Sequence, residues 1–435
     1  MKIKVSYDSL VSLVNLMNLV VSANKRTQEN LKVVNIFAKD GELKALCTDG
    51  TLYCLETVKD AIFDLEGEEN PFMVFNLKEV TDILGKFSSL QRTQVSDIYL
   101  QTQQKGIVLT VIEEPKALKD NENFAFSDIY KNQQSRFKLT RTEVSRLIQR
   151  ELPKMVIPDD NVEVKSKDLQ KYLEYMFVPL TKPKGTTSMR FQQQYVYSVM
   201  NNIYGIAMPN VLPKDIFTDV AIPSMYLNFF KNFIPEYDTF KIYKDVEVIK
   251  RANTEDYDDE TDTHKITLII ESGSRLVKFA VNDNTGALGV ELFNQEISNV
   301  IEIDKPYFND VLKRFEGFDT VYLEVVIKED ENVSGMTNAE FVMKSQKNQQ
   351  RIPVKSATGP SGEYKFMLRP ESIGLMTCNH LTKDLDGKSE KINNLQICFH
   401  KDTLDTVSII CKDGAEDWLT RYPKAPVKEA PLLDF

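Results

Sequence analysis

The sequence predicts an α+β chain whose antiparallel sheets carry their helices on one face. Two observations support this. A strand leads into a short amphipathic helix and then into a meander of alternating strands, and the pattern occurs six times. Strands also outnumber helices and follow one another through tight turns. Asp40-Gly41 and Asp49-Gly50 are of the strong hairpin type.

The first unit is MKIKVSY, the helix DSLVSLVNLMNLVVSA, and the strands VVNIFAKD, ELKALCTD and TLYCLETV. The second is PFMVF, NLKEVTDILGKF, then DIYLQTQ and GIVLTVIEE. The third is SRFKL and TRTEVSRLIQREL, with MRFQQQYVYSVMNN and GIAMPNV after an insertion. The fourth is TDVAI, PSMYLNFFKNFI, then TFKIYKD, HKITLIIES and SRLVKFAVND. The fifth is NVIEI, DKPYFNDVLKRFEGF, then TVYLEVVIKE, AEFVMKSQ and QRIPVKS. The sixth is EYKFML, RPESIGLMTCNHL, then NLQICFHKD, TVSIICKDG and DWLTRYP.

Paired, the units give three domains: 1–130, 131–288 with an insertion at 153–188, and 289–423, followed by a tail at 424–435. Joins fall in the polar stretches ALKDNENFAFSD and NDNTGALGVELF. Further irregular segments lie at 251–263 and 328–338. A chain of 435 residues is too long for one ordinary core, which agrees with several domains. No apolar run reaches 18 residues, so no membrane span or membrane partner is expected. The first residues lack the apolar block of a signal peptide, which points to the cytoplasm. Cys47, Cys54, Cys378, Cys398 and Cys411 form no CxxC pair and read as buried thiols.

The helix faces say more. Leu77, Val80, Leu84 and Phe87 form the apolar stripe of the second helix, opposite Lys78, Asp82 and Lys86. Val144, Leu147, Ile148 and Leu152 form that of the third, opposite Arg146 and Arg150, with Arg141 and Lys154 at its ends. Tyr226, Phe229, Phe230 and Phe233 lie opposite Asn228 and Lys231 on the fourth. Phe308, Val311, Leu312 and Phe315 lie opposite Asn309 and Lys313 on the fifth, with Arg314 at the edge. The first helix has a neutral face, Ser12, Asn15 and Ser22, followed by Lys25 and Arg26. The sixth, least regular, has Ser372 and Asn379, with Lys383 beyond. For any one helix the alternative is an ordinary solvated lysine face. Yet the chain is acidic, at net charge −10, and its acids gather elsewhere, as in TEDYDDETD. Such segregation suits helices that face a polyanion while the remaining surface does not.

Three stretches resemble the bacterial type of DNA sliding clamp, the beta subunit of the replicative polymerase. They are LKVVNIFAKDGELKALCTDGTLYCLETV, FMVFNLKEVTDILGKF, and FMLRPESIGLMTCNHL with the strands after it. The Thr48-Asp49-Gly50 turn is the near-literal match. The resemblance implies the DNA clamp fold: three domains of two strand–helix–meander units each, sheets outside, helices lining a central pore. It implies a non-enzymatic processivity factor that closes as a head-to-tail homodimer around double-stranded DNA and slides without sequence preference. Expected partners are a DNA polymerase, a clamp loader and peptide motifs of replication and repair proteins. No cofactor or metal is implied. On this reading Lys25, Arg26, Lys78, Lys86, Arg146, Arg150, Lys154, Lys231, Lys313 and Arg314 line the pore. Partner peptides bind on the third domain at its C-terminal strand, where Leu419, Tyr422 and Pro423 stand. The chain departs from the family in its insertions and its tail, a divergence that also suits a viral member. A monomeric or open clamp-like protein, or a structural β-repeat protein without a DNA role, are the alternatives.

Other motifs are weaker. Leu432, Leu433 and Phe435 make the tail a candidate for docking into a clamp pocket; a disordered end is the alternative. The run Asp256, Asp258, Glu260, Asp262 lacks the glycine and late glutamate of a calcium loop and reads as a solvated hairpin tip. Asp386-Gly387-Lys388-Ser389 ends like a phosphate loop, but Thr382 stands where the earlier glycine belongs. His264, His380 and His400 are far apart and have no metal-ligand neighbours at helical spacing. Lys165, Lys167 and Lys171 in the insertion read as part of a solvated helix.

Overall fold

In the computed structural model the described residues are 1–24, 27–65, 67, 72–89, 93–103, 106–115, 133–140, 142–181, 188–200, 204–234, 238–249, 263–283, 296–315, 317–318, 321–329, 337–368, 394–400, 406–413 and 416–423. The chain divides into two compact units. One is Met1–Lys165 with Asn228–Val281; the other is Ser166–Leu227 with Asn282–Phe435. Six α-helices occur among the described residues: α1 Tyr7–Ala23, α2 Leu77–Phe87, α3 Arg146–Glu151, α4 Ser166–Thr181, α5 Leu227–Phe233 and α6 Lys305–Arg314.

Three helices start by one device. A strand ends in a residue with extended backbone, whose side chain then accepts the first orphan N–H groups of the helix. Ser6 accepts from Ser9 N, Asn76 from Lys78 N and Glu79 N, and Asp304 from Tyr307 N. The N–H of Tyr307, assisted by Lys355, holds the Asp304 carboxyl below its ordinary value.

The first unit holds two antiparallel sheets. The first sheet orders its strands Ile62–Asp64, Lys2–Ser6, Thr93–Gln103, Gly106–Pro115, Gln133–Leu139. The second sheet has eight: Phe72–Asn76, Val33–Lys39, Glu42–Thr48, Leu52–Thr57, Arg275–Asp283, Thr263–Ser272, Thr239–Ile249, Val162–Lys165. Its middle is a join between distant parts of the chain, with Arg275 opposite Glu56 and Phe279 opposite Leu52.

The second unit repeats this order. Its long sheet runs Val220–Pro223, Ser188–Phe191, Tyr195–Met200, Tyr204–Pro209, Glu416–Pro423, Thr406–Asp413, Asn394–His400, Ile297–Asp304, with Val354–Thr358 beyond. Here the join is Tyr204–Pro209 with Glu416–Pro423. A fourth sheet runs Gly362–Leu368, Val321–Glu329, Thr337–Lys344, Gln349–Ile352.

These pairings correct the third repeat read from the sequence. SRFKL does not open that repeat. Gln133–Leu139 pairs along Gly106–Pro115, from Ile107 opposite Leu139 to Glu113 opposite Gln133, and ends the first sheet. The strand that sits as Lys2–Ser6 does is Val162–Lys165, which pairs with Thr239–Ile249. It leads straight into α4. The segment 153–188 is therefore no insertion, since it contains this repeat's own strand and helix. In α4, Tyr172 is buried; its hydroxyl donates to the Pro209 carbonyl at 2.6 Å and accepts from Val211 N at 2.9 Å.

Burial fixes the faces of the second sheet. In Glu42–Thr48, alternate residues point to opposite sides. Cys47 faces α1, and its thiol lies 3.9 Å from the Met17 carbonyl. Burial pushes that thiol up to about 12. Leu46 faces the other way, into a cluster with Phe37, Tyr53, Ile148 and Met155. Phe279 is on the α1 side by register, and Phe230 of α5 packs on its ring at 4.7 Å. So α1 and α5 cover one face, and α3 covers the other.

Two buried carboxylates hold these layers. Glu56 and Arg275, each 8% exposed, pair across the join, and Ser274 Oγ donates to Glu56 at 3.1 Å. Burial pushes the Glu56 carboxyl up, against the pull of Arg275. Glu151 at the end of α3 accepts from Lys278 at 2.9 Å and Arg150 at 3.0 Å, with Lys154 at 3.5 Å. Burial would raise the Glu151 carboxyl, but the three cations outweigh it and hold the group below its ordinary value.

Two outcomes are expected. Arg275→Met leaves Glu56 buried without its cation and should cost about 3–5 kcal/mol in urea unfolding. Glu151 titrates lower in the folded chain than its ordinary 4.5. Its stabilisation is therefore present above that value and lost as pH falls through the folded one. The gap in urea midpoint between wild type and Glu151→Gln should be widest near neutral pH and shrink on acidification below it. A gap independent of pH would contradict this account.

Candidate nucleic-acid interface

The helical layer of the first unit is built by α1, α2 and α5. α1 and α2 are tied together: Asn18 Nδ2 donates to Thr81 Oγ1 at 3.0 Å, and Tyr7 OH donates to the Leu84 carbonyl at 3.1 Å. The apolar stripes are used as the sequence implies. α2 buries Leu77, Val80 and Leu84 of its stripe, with Ile83 besides, while Phe87 stays half-buried; α5 buries Phe229, Phe230 and Phe233.

What remains exposed on α2 is Lys78, Asp82, Gly85 and Lys86. Lys86 reaches over the Phe137 ring at 5.6 Å, a cation–π contact. α5 exposes Asn228, Lys231 and Asn232. α1 exposes Asp8, Ser12, Asn15 and Ser22, hence no cation; Lys25 and Arg26, just after it, lie outside the described residues.

Arg146, Arg150 and Lys154 require a correction. Their helix, α3, lies on the sheet face opposite α1 and α5, so these three cations do not share a surface with Lys78 and Lys231. The physical reason is packing. Val144, Leu147, Ile148 and Leu152 form an apolar stripe that fits either face of a sheet, and Phe37, Leu46, Tyr53 and Leu55 supply an apolar outer face to receive it.

In the second unit α6 buries Phe308, Val311 and Leu312, with Phe308 stacked on Phe341 at 6.1 Å. Lys313 and Arg314 are exposed. Lys313 pairs with Asp310 at 3.6 Å, and Arg314 donates to Gln350 at 3.1 Å. Lys167, near the start of α4, is an exposed cation that the sequence reading assigned to a solvated insertion. The signal that could have placed it was the alternation of Val162 and Val164 just before a helix.

Leu419, Tyr422 and Pro423 belong to the joining strand Glu416–Pro423, in register with Ile410, Val407 and Thr406; Leu419 also sits opposite Ala207. The sixth helix, the Asp386–Ser389 stretch, His380, Asp256–Asp262 and the tail with Leu432, Leu433 and Phe435 lie outside the described residues. Among the described residues no cluster of three metal-ligating side chains forms. No described helix is long and apolar enough to cross a membrane.

The Thr48-Asp49-Gly50 turn is built from its own side chains. Asp49 Oδ1 accepts from Thr51 N at 2.8 Å, Thr51 Oγ1 at 2.9 Å and Leu52 N at 2.7 Å. Gly50 takes φ +102°, a conformation that a side chain would strain. The turn delivers Leu52–Thr57 to the join.

No protein-family model matches the chain, and no curated protein matches it by sequence. Solved structures do. The Bacillus subtilis DNA polymerase sliding clamp is 14% identical, with 98% of this chain and 99% of that chain covered and a TM-score of 0.63. The Streptococcus pneumoniae DNA polymerase III beta chain is 12% identical, covering 98% and 100%, also at 0.63. The Caulobacter crescentus sliding clamp is 10% identical, covering 98% and 100%, again at 0.63. At such identity the likeness speaks for architecture, and it spans nearly the whole length of both chains. The chain has the fold of the bacterial DNA polymerase III beta sliding clamps.

Proposed function

We propose that the chain is a processivity factor: two copies close head to tail around double-stranded DNA and tether a polymerase. The observation that supports this most is the pattern of sheet edges. Each long sheet is two half-sheets joined edge to edge. One half ends in the last strand of a first meander, Leu52–Thr57 or Tyr204–Pro209. The other ends in the last strand of a second meander, Arg275–Asp283 or Glu416–Pro423. Two half-sheets remain. The first sheet ends in Gln133–Leu139 and the fourth in Gln349–Ile352. Among the described residues neither end strand has a second partner strand.

A bare edge is a template for pairing. Joining Gln349–Ile352 of one copy to Gln133–Leu139 of the next makes a third sheet of the same order. The contact is heterologous, and two copies close it into a ring. On this reading there are three domains, as in the sequence, with the first boundary moved past Leu139 and α3 lying in the connector.

The helical faces of such a ring carry Lys78, Lys86, Lys231, Lys313 and Arg314, with Lys167 added; Lys25 and Arg26, which follow α1 in sequence, are proposed to join them. They are thinly cationic, and Asp8, Asp82 and Asp310 interrupt them. That suits transient phosphate contacts with a duplex held by topology rather than by affinity. The role is non-catalytic. A clamp loader and the peptide motifs of replication and repair proteins are the further partners, the latter at the strand of Leu419, Tyr422 and Pro423. The tail's Leu432, Leu433 and Phe435 compete for that pocket. The cytoplasm of a bacterial or virus-infected cell is the matching compartment.

Light scattering should give twice the 49.9 kDa chain mass. A single-chain mass at every concentration would favour the monomeric or open alternative. Loaded on nicked circular DNA, the protein should stay bound until the circle is cut. Reversing Lys78, Lys231 and Lys313 to Glu together should shorten retention about tenfold or more. Arg146→Glu with Arg150→Glu should leave it nearly unchanged. Equal losses from both sets would overturn the assignment of faces.

A further inference from the structure

The two end strands carry cations and no carboxylate. Gln133–Leu139 reads QQSRFKL and Gln349–Ile352 reads QQRI. Strand alternation decides where those cations point. On the first strand Phe137 packs edge-on against Phe87 of α2 at 5.9 Å and Leu139 is buried, so this set of alternate residues faces the helix. Arg136 and Lys138 belong to the other set and are exposed on the far face. On the second strand Gln350 donates to Tyr307 OH at 3.3 Å and accepts from Arg314 at 3.1 Å, both on α6, and Ile352 is buried. Arg351 therefore also lies on the face away from its helix.

Little nearby neutralises these cations. On the neighbouring strand Gly106–Pro115, the residues opposite Arg136 and Lys138 are Thr110 and Val108. Among the described residues neither cation has an ion-pair partner. Glu79 and Glu113, at the two ends of the strand, lie on its helical side and hold Thr140 and Ser135. Around the second strand, Arg351 is 78% exposed and bridges Glu340 at 3.0 Å. On the same face Lys344 and Lys365 share Glu324. Lys347, in the turn before the strand, is exposed. The first edge is thus cationic on its outer face, and the second leans the same way.

We infer that like charge opposes closure of the ring, so that two copies join more tightly as salt rises. The inference rests on the clamp reading and concerns the regulation of its joint. In that joint α2 and α6 lie on one side of the shared sheet, as α1 and α5 do at the join of the second sheet. Arg136 and Lys138 then share a sheet face with Arg351 in any register that keeps the helices together. Like charges that meet across a strand pair are unfavourable. Glu340 answers one of the three cations. A ring has two such joints, so the penalty acts twice. Ion pairs would behave in the opposite way, since salt weakens them.

The test is sedimentation equilibrium of the full chain between about 0.01 M and about 0.15 M NaCl, over which the Debye length falls from about 30 to about 8 Å. The dimer should tighten about tenfold across that range. Arg136→Gln with Lys138→Gln should give a dimer that is tighter at low salt and nearly indifferent to salt. Arg136→Glu with Lys138→Glu should reverse the trend, because carboxylates would then face Arg351. All these substitutions change exposed side chains. A wild-type dimer that weakens with salt, or ignores it, would overturn the inference and leave the ring standing. So would a salt response that persists unchanged in the glutamine variant, since the response would then arise elsewhere. A monomer in all three proteins at every salt would overturn the ring reading, and the inference with it.

Discussion

A strand at the edge of a sheet exposes a row of N–H and C=O groups that water satisfies poorly once anything else can. In this chain the response is always the same: edge meets edge, antiparallel. Leu52–Thr57 finds Arg275–Asp283, and Tyr204–Pro209 finds Glu416–Pro423. Each pairing links parts of the chain about two hundred residues apart, so the backbone rather than any side chain decides which halves share a sheet. The buried pair of Glu56 and Arg275 is set into one of these joins. A pair so placed adds little net stability, but it penalises any slip of register, because a slip would bury one charge without the other. The assembly proposed above extends the same rule to the end strands Gln133–Leu139 and Gln349–Ile352.

The acidic balance of the chain acquires a spatial meaning. Cations are split between two opposite faces of one sheet. Lys78 and Lys231 belong to the helical layer with α1, while Arg146, Arg150 and Lys154 belong to the connector on the far side. On the far side part of the charge is structural. Three cations neutralise Glu151, whose carboxylate anchors α3 over the join. The same residue types thus stand in two different settings, exposed on the helical layer on one face and tied to a buried carboxylate on the other.

Much of this architecture was legible. The strand, the capping residue and the helix follow one another at Ser6, Asn76 and Asp304, and each works in the structure as the sequence implies. The apolar stripes of α2, α5 and α6 are buried along the positions that helical periodicity marks. The Asp49-Gly50 turn carries its own instructions in three side-chain hydrogen bonds. The third repeat was misread. Gln133–Leu139 followed by an amphipathic helix has the same period and the same cap-like polar residue as a true repeat start. Nothing local distinguishes it from Val162–Lys165 and α4.

The sequence by itself determined the elements, their repetition and the apolar side of each helix, because these depend on contacts a few residues apart. Only the tertiary structure decided which strand neighbours which, and on which face of the sheet a helix lands. Those choices depend on backbone pairing and on apolar surface supplied from far along the chain. Leu139 could close a sheet or open one; the strand Gly106–Pro115 made it close one. α3 could lie on either face; Phe37, Leu46 and Tyr53 placed it opposite α1, and with it Arg146 and Arg150.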